Sequence, residues 1–127
     1  MKITKITISK LAAIGGEHVI EFTKEPRKSA GIFAISGPTG SGKSTILDAL
    51  CLALYDRIPR FQQSVGRARI DDAGNSDISQ NDVRNILRRG TGRGFAEVEF
   101  VDDNKETYAS RWSVHRSHYN PVGKLQN

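Results

Sequence analysis

A glycine-rich run in the first half of the chain limits what it can fold into more than any other feature. The run GPTGSGKS, residues 37–44, matches the phosphate-binding pattern G-x-x-x-x-G-K-[ST] at every position. Residues 32–36 before it are apolar on both faces, which is typical of a central strand. Residues 44–54 after it have the apolar spacing of a helix. This order of strand, tight loop and helix predicts an α/β fold.

The spacing of the glycines suits a triphosphate, whose charged oxygens need many hydrogen-bond donors in a small volume. Gly40 and Gly42 allow positive φ and a close approach of the backbone to the phosphate. The amides from Gly40 to Thr45 then form an anion nest that continues into the positive end of the helix dipole. We therefore predict a P-loop NTPase fold in which these residues bind the nucleotide: Gly37, Pro38, Thr39, Gly40, Ser41, Gly42, Lys43, Ser44 and Thr45.

Three side chains of this loop have separate expected roles. Lys43 supplies a positive charge to the β- and γ-phosphates, which makes it the candidate catalytic residue. Ser44 offers its hydroxyl to the Mg²⁺ ion that bridges these phosphates, so it is the candidate metal ligand. Thr45 is expected to donate to the α-phosphate. The expected cofactors are therefore ATP and Mg²⁺.

Length and composition favour a single soluble domain. The 127 residues provide one modest core, with 37% hydrophobic and 26% charged residues. No apolar run approaches the roughly 20 residues that a membrane span requires, and residues 1–8 lack the apolar stretch of a signal peptide. The only cysteine, Cys51, forms no internal disulfide, which agrees with a reducing cytoplasm, and we expect it to pack in the core.

Positive charge is concentrated in the middle of the chain. The formal net charge is +5, and residues 57–94 contribute eight arginines against four aspartates. The planar guanidinium of arginine suits phosphate oxygens, so nucleic acid or the nucleotide itself is one expected partner. An ordinary solvated surface explains the same composition, and the sequence does not decide between the two. The arginines are Arg57, Arg60, Arg67, Arg69, Arg84, Arg88, Arg89 and Arg93.

The pattern outside the loop predicts a β-rich lobe. Strands are expected at residues 2–9 and 19–22, with a turn at Gly15-Gly16 between them. Two alternating strands, residues 95–100 and 107–115, are expected to pair across a polar turn.

The segment between the helix and these last strands has a weaker pattern. Residues 62–81 are polar, rich in glycine and without a sustained period, which predicts a flexible surface loop. A short helix at residues 82–87, capped by Asn81 or Asp82, should follow it.

The hydrolytic half of an ATPase site is missing from the pattern. Such a site also needs an apolar strand that ends in a carboxylate near the metal, and no such strand follows the loop. Val101-Asp102 comes closest, but it leads into a polar turn and has no neighbouring glutamate. Two alternatives to an ATPase therefore stay open: a P-loop kinase or related transferase, and a module in which the nucleotide only holds two subunits together.

A longer motif around the loop is narrower than a generic P-loop. It comprises SGPTGSGKSTILDALCLALY at residues 36–55 and Ile58-Pro59-Arg60 after it, together with AEVEF at 96–100 and YASRWSVHR at 108–116. In these segments the chain resembles the SbcC family, the ATPase subunits of SbcCD nucleases, and related SMC-like ABC ATPases of DNA repair. The resemblance extends over the whole chain and is weakest between residues 62 and 81.

The resemblance implies that residues 1–127 form the N-terminal half of an ABC-type ATPase head. The coiled coil and the C-terminal lobe, which carries the signature motif, the Walker-B aspartate and the catalytic glutamate, would lie outside this chain. In the family, paired heads sandwich ATP, and their closure is transmitted to an SbcD-type nuclease that acts on double-stranded DNA ends and hairpins. The implied partners are a second head, the C-terminal lobe, the nuclease and double-stranded DNA.

The resemblance also assigns a second contact with the nucleotide. By matching, Leu87, Arg88 and Arg89 occupy the stretch whose backbone and side chains flank the base or ribose. In some relatives an arginine near the N-terminus also approaches the nucleotide, and Ala12 stands at that position here. We expect that contact to be absent or made by the backbone alone.

Overall fold

Seven strands form two antiparallel sheets in the structure, a computed structural model that describes residues 1–32, 34–62, 68–73 and 76–127. The strands are β1 (Lys2–Leu11), β2 (Ile14–Glu21), β3 (Arg69–Asp72), β4 (Ser76–Ser79), β5 (Arg93–Val101), β6 (Thr107–Arg116) and β7 (Leu125–Gln126). The main sheet has the order β2-β1-β5-β6-β7, and β3 pairs with β4 in a separate hairpin. The chain is therefore a sheet-rich mixture of α and β structure.

One long helix, α1 (Lys43–Tyr55), packs on the main sheet, and a single turn, α2 (Pro59–Gln62), follows it. Short 3-10 turns at Val83–Ile86 and Ser117–Tyr119 precede β5 and follow β6. Among the residues that the structure describes, no helix is long and apolar enough to cross a membrane.

Strands β5 and β6 follow the period-two alternation of the sequence. In β5, Ala96 and Val98 are both 0% exposed, and the glutamates that alternate with them are half-buried. Trp112 of β6 lies opposite Ala96 and is 7% exposed. Its indole N–H donates to Asp56 Oδ1 at 2.7 Å, which ties β6 to the end of α1. The predicted strand pair is confirmed.

Small residues let α1 lie close to this sheet. Ala49, Leu52 and Ala53 are buried, and they pack in a core that includes Ile8 of β1 and Val98 of β5. Burial of each large apolar side chain contributes roughly 1.5–3 kcal/mol, so this contact holds the helix in place. The helix predicted at residues 44–54 is confirmed, with one more residue at each end.

The opposite face of α1 and the chain before the loop are exposed. Leu47 is 62% exposed, and Ile32 and Ile35 are 95% and 48% exposed. The central strand predicted at residues 32–36 is wrong for residues 32 and 34–36, which form no strand, and Phe33 lies outside the described residues. Apolar side chains favour burial, but a strand also needs a neighbour to accept its hydrogen bonds. No strand in the described ranges pairs with this segment.

The predicted turn at Gly15-Gly16 is also wrong. Both glycines lie inside β2, which pairs with β1 in antiparallel register, and the chain reverses at Ala12-Ala13. Ala12 adopts a φ of 44°, so the tight reversal is made by an alanine rather than by the glycines that the sequence favours for turns.

Part of the segment predicted as an irregular loop is ordered. That prediction is wrong for β3 and β4, in which Ile70 lies opposite Ile78. Residues 63–67 and 74–75 lie outside the described residues, and the flexibility of the segment stays a prediction. The short helix after it is confirmed as a 3-10 turn, and the Asp82 carboxylate caps it by accepting from the Arg84 amide at 2.9 Å.

Leucines on the two sides of α1 give a matched test of this packing. Leu52 is 1% exposed, whereas Leu47 is 62% exposed. We expect Leu52→Ala to lower the free energy of unfolding of this chain by about 2–5 kcal/mol, because it leaves a cavity in the core. The control, Leu47→Ala, should change it by no more than about 0.5 kcal/mol. Urea denaturation measures both values, and equal losses would contradict the packing.

Candidate phosphate-binding site

The loop before α1 has the backbone conformation that the motif predicts. Gly40 and Gly42 have φ values of 81° and 104°, in the region that favours glycine. Gly42 is also in close contact with β2, since a Cβ atom there would lie 3.3 Å from Ile14 Cγ1. The predicted positive φ at both glycines is confirmed, and at Gly42 both backbone angle and space require glycine.

The start of α1 presents donors to this loop. Gly42 is the N-cap of the helix and provides no side-chain hydrogen bond to the first turn. The first amides of a helix have no partner within the helix, and they carry the positive end of its dipole. This end of α1 therefore suits an anion held by the loop.

The Lys43 side chain folds back over the loop. Its ammonium group donates to the carbonyl oxygens of Gly37 and Pro38, the latter at 2.9 Å. Phosphate oxygens are stronger acceptors than neutral carbonyls because a charged acceptor forms a stronger hydrogen bond. Lys43 is therefore placed to exchange these two carbonyls for the oxygens of a bound polyphosphate.

The other predicted ligands in the loop differ in exposure. Ser44 is exposed, so its hydroxyl is accessible to a metal ion. Thr45 is 3% exposed, and its contact with the α-phosphate stays a prediction. Thr39 and Ser41 are exposed, and the Ser41 amide donates to the Pro38 carbonyl at 3.1 Å within the loop.

A cleft of about 560 Å³ lies beside the loop, a size typical of small-molecule sites. Its walls include Gly37 and Lys43 on one side and Ala13, Ile14 and Gly15 of the β1–β2 hairpin on the other. The sequence prediction missed this second wall, since the hairpin is distant along the chain and has no phosphate-binding motif. Only the pairing of β1 with β2 and the packing of α1 bring it to the loop.

The Arg88 guanidinium lies against the β1–β2 hairpin. Its Nη1 donates to the Ala12 carbonyl at 2.8 Å, and a Cβ atom on Gly15 would lie 3.5 Å from Arg88 Nε. Ala12 therefore contributes a backbone oxygen that holds Arg88. The Arg88 side chain, which is predicted near the base or ribose, therefore lies beside Gly15, a residue that lines the cleft.

Leu87 and Arg89 extend in other directions. Leu87 is 2% exposed and packs in the core, so its side chain is not available to a ligand at the surface. Arg89 forms an ion pair with Asp72 at the end of β3. The three side chains therefore have different surroundings, and contacts of the backbone or side chains of this stretch with a base or ribose stay a prediction.

Four of the seven arginines that the structure describes in the basic segment form ion pairs with aspartates. These four guanidinium groups already have anionic partners, which agrees with the solvated-surface interpretation. Hydrogen bonds from arginine also lower the pKa of Asp77 and Asp82. Arg67 lies outside the described residues. The pairs are Arg60–Asp48, Arg69–Asp77, Arg84–Asp82 and Arg89–Asp72.

Asp102, in the sequence that comes closest to a Walker-B motif, has a structural role in the β5–β6 turn. Its Oδ1 atom accepts from the amides of Asn104 at 2.8 Å and Glu106 at 2.9 Å. A carboxylate that closes a tight turn in this way is already satisfied by the backbone.

Comparison with known families identifies the class of the chain. A family model described as an AAA domain matches residues 5–127, and the chain belongs to this family. Individual relatives indicate a narrower class than the family model does. The SbcC subunit of nuclease SbcCD from Pseudomonas aeruginosa is 49% identical over 126 residues, and the protein of the same name from Rhodobacter capsulatus is 43% identical over 126 residues.

A third relative, the DNA double-strand break repair Rad50 ATPase of Thermococcus kodakarensis, is 34% identical over 98 residues. The matches cover 99%, 99% and 74% of this chain, and in each case 10% of the relative. The chain therefore spans about a tenth of the length of these curated relatives. The resemblance to the SbcC family is confirmed.

A glycine exchange tests the geometry of the loop. We expect Gly42→Ala to lower the free energy of unfolding of this chain by about 1–2 kcal/mol, because alanine is strained at positive φ and its methyl group would press on Ile14. Gly31→Ala is the matched control, since no atom lies within 4 Å of a Cβ there. Thermal or urea unfolding measures the free energy of unfolding of both variants. Equal values for the two variants would contradict the positive φ and the close contact with Ile14 at Gly42.

Proposed function

We propose that this chain is the ATP-binding portion of a DNA-repair ATPase subunit of the SbcC type, and that it forms the N-terminal half of an ABC-type head with a P-loop NTPase fold. The observation that carries the proposal is the loop at the start of α1, where two glycines with positive φ and the Lys43 ammonium converge. Membership of the AAA domain family and the 49% identity to an SbcC subunit of nuclease SbcCD support it.

The loop residues fit a triphosphate with its magnesium ion. The amides of Gly40, Gly42 and the first turn of α1 would donate hydrogen bonds to phosphate oxygens. The Lys43 ammonium would leave its two carbonyl partners and neutralise charge on the β- and γ-phosphates. Ser44 would hold Mg²⁺, which supplies further neutralisation of these phosphates when bound. Lys43 is the proposed catalytic residue because it stabilises the negative charge of the phosphoryl group during transfer.

An exposed apolar groove beside α1 supports the part of the proposal that requires a C-terminal lobe. The groove has a volume of about 520 Å³ and is lined by Ile3 of β1, Leu47 and Leu50 of α1, and Ile35 before the loop. Exposed apolar patches that adjoin a core mark interaction sites. We propose that the C-terminal lobe, joined through a coiled coil, covers this groove and brings a Walker-B carboxylate to the metal.

In the complete protein, we propose that two such heads close on ATP in the cytoplasm and regulate a partner nuclease of the SbcD type. The nuclease would act on double-stranded DNA ends and hairpins. The support is that several relatives are named as the SbcC subunit of nuclease SbcCD and others as DNA double-strand break repair Rad50 ATPases. The identities to the Pseudomonas and Rhodobacter SbcC subunits are 49% and 43%, and the identity to the Thermococcus Rad50 ATPase is 34%. This difference favours the SbcC type over a Rad50-type SMC-like ABC ATPase.

Replacement of the loop lysine tests nucleotide binding. In the complete protein, we expect Lys43→Ala to weaken Mg·ATP binding by at least about tenfold, because charge-assisted hydrogen bonds contribute ~1.5–3 kcal/mol. Association of the heads in response to ATP should also be lost. Lys124→Ala, which removes an exposed lysine outside the cleft, is the matched control. Calorimetry and sedimentation measure the two effects, and heads that still associate in Lys43→Ala would refute the role of the loop.

The division of the site between two lobes makes a separate prediction. This chain alone should hydrolyse ATP negligibly, because the proposed Walker-B carboxylate comes from the C-terminal lobe. Co-expression with that lobe should give measurable phosphate release, and the same assembly with Lys43→Ala should not. An inactive two-lobed protein that binds ATP, or an equally active isolated chain, would count against the head assignment.

A further inference from the structure

A buried ion pair at the end of the β3–β4 hairpin has no role assigned to it by the proposed function. The Asp72 side chain is 3% exposed and that of Arg116 is 1% exposed. Arg116 Nη1 and Nη2 donate to the two carboxylate oxygens of Asp72 at 2.9 and 2.8 Å, in a bidentate pair. This hydrogen bonding lowers the pKa of Asp72. The carboxylate is therefore charged at neutral pH and held in one orientation.

Asp72 also holds a second arginine from the solvent side. Arg89 forms an ion pair with Asp72 Oδ1, and its side chain is 49% exposed. The Arg116 backbone amide donates to the Gly92 carbonyl at 2.8 Å. Both Arg89 and Gly92 belong to the segment 88–92, so this segment contacts the Asp72 side chain at one point and the Arg116 backbone at another.

The same segment carries Arg88, which lies beside Gly15 of the candidate phosphate-binding cleft. At its start, the Arg88 amide donates to the Lys10 carbonyl at 3.0 Å and Arg88 Nη1 donates to the Ala12 carbonyl at 2.8 Å. Gly90, with a φ of 80°, turns the chain between Arg88 and Gly92. The segment 88–92 is therefore held to the β1–β2 hairpin through Arg88 and to Asp72 through Arg89.

We propose that Asp72 is a positioning residue for nucleotide binding, which holds the segment 88–92 so that the Arg88 guanidinium stays beside the cleft. The proposal rests on the proposed function, because it requires that the cleft binds a nucleotide. If Asp72 has this role, the β3–β4 hairpin affects the affinity of the loop for ATP, although the hairpin carries no nucleotide-binding motif.

The burial of the pair makes the carboxylate hard to replace. Removing one partner of a buried pair leaves the other charge in a low-dielectric environment without compensation. Arg116 Nε already has no hydrogen-bond partner among the described residues, so the Asp72 oxygens and the Gly123 carbonyl, at 2.9 Å from Nη1, are what satisfy this guanidinium. With Asn at position 72, Arg116 is expected to move toward water, and the contact of its amide with Gly92 should loosen.

The experiment is a double-mutant cycle on Mg·ATP affinity in the complete protein. We expect Asp72→Asn to weaken binding about tenfold, and Asp77→Asn, which removes an exposed ion pair of the same hairpin, to change it by less than about twofold. Arg88→Ala should weaken binding by a similar factor to Asp72→Asn. In the Arg88→Ala background, Asp72→Asn should add less than about twofold, because the residue it positions is gone.

The cycle separates the inference from the proposed function. If the unmodified protein binds Mg·ATP and the Lys43→Ala variant does not, the loop has its proposed role, whatever effect Asp72→Asn has on affinity. The positioning role would be overturned if the Asp72→Asn variant binds Mg·ATP as tightly as the Asp77→Asn variant. It would also be overturned if Asp72→Asn weakens binding by a further full tenfold in the Arg88→Ala background. If Asp72→Asn does not fold, Arg89→Ala decides, since it leaves the Asp72–Arg116 pair intact. A loss of about threefold that disappears in the Arg88→Ala background supports the inference, and an unchanged affinity overturns it.

Discussion

The packing of α1 on the antiparallel sheet is the interaction on which the candidate site depends. Ala49 and Ala53 allow the helix to approach the sheet, and Leu52 fills the core between them. Because the loop ends where the helix begins, this contact fixes Gly42 against Ile14 and places Lys43 over the carbonyls of the loop. A phosphate-binding loop is useful only if its donors are already oriented, and here the hydrophobic core performs that orientation.

The same helix also supports the proposal that a second lobe completes the site. One face of α1 is buried against the sheet, and the other carries Leu47 into an apolar groove with Ile35. An amphipathic surface helix would have a polar outer face, whereas α1 is apolar on most sides. The proposed C-terminal lobe accounts for this distribution. It would also give the unpaired residues 34–36 a neighbouring strand.

How much could be predicted from sequence depended on whether each element is stabilised locally. The loop was predicted because its glycines and lysine are specified by the chemistry of phosphate, and β5 and β6 because their alternation records a sheet with one buried face. Residues 32–36 have the apolar pattern of a strand, but pairing depends on a partner that the pattern does not contain. The β3–β4 hairpin is polar, and its ion pairs with Arg116 and Arg89 join residues distant in sequence. For the same reason, the sequence does not indicate that the adjacent side chains of Arg88 and Arg89 contact different partners, the Ala12 carbonyl and the Asp72 carboxylate.

The proposed function requires that the loop at the start of α1 binds the phosphates of ATP. Hydrogen–deuterium exchange of the complete protein with and without Mg·ATP tests it most directly, because it reports on backbone amides at the loop itself. We expect slower exchange at residues 40–45 with Mg·ATP, a smaller change with Mg·ADP, and no change in β6, which lies outside the loop. Binding of Mg·ATP that leaves the exchange of residues 40–45 unaltered would contradict it.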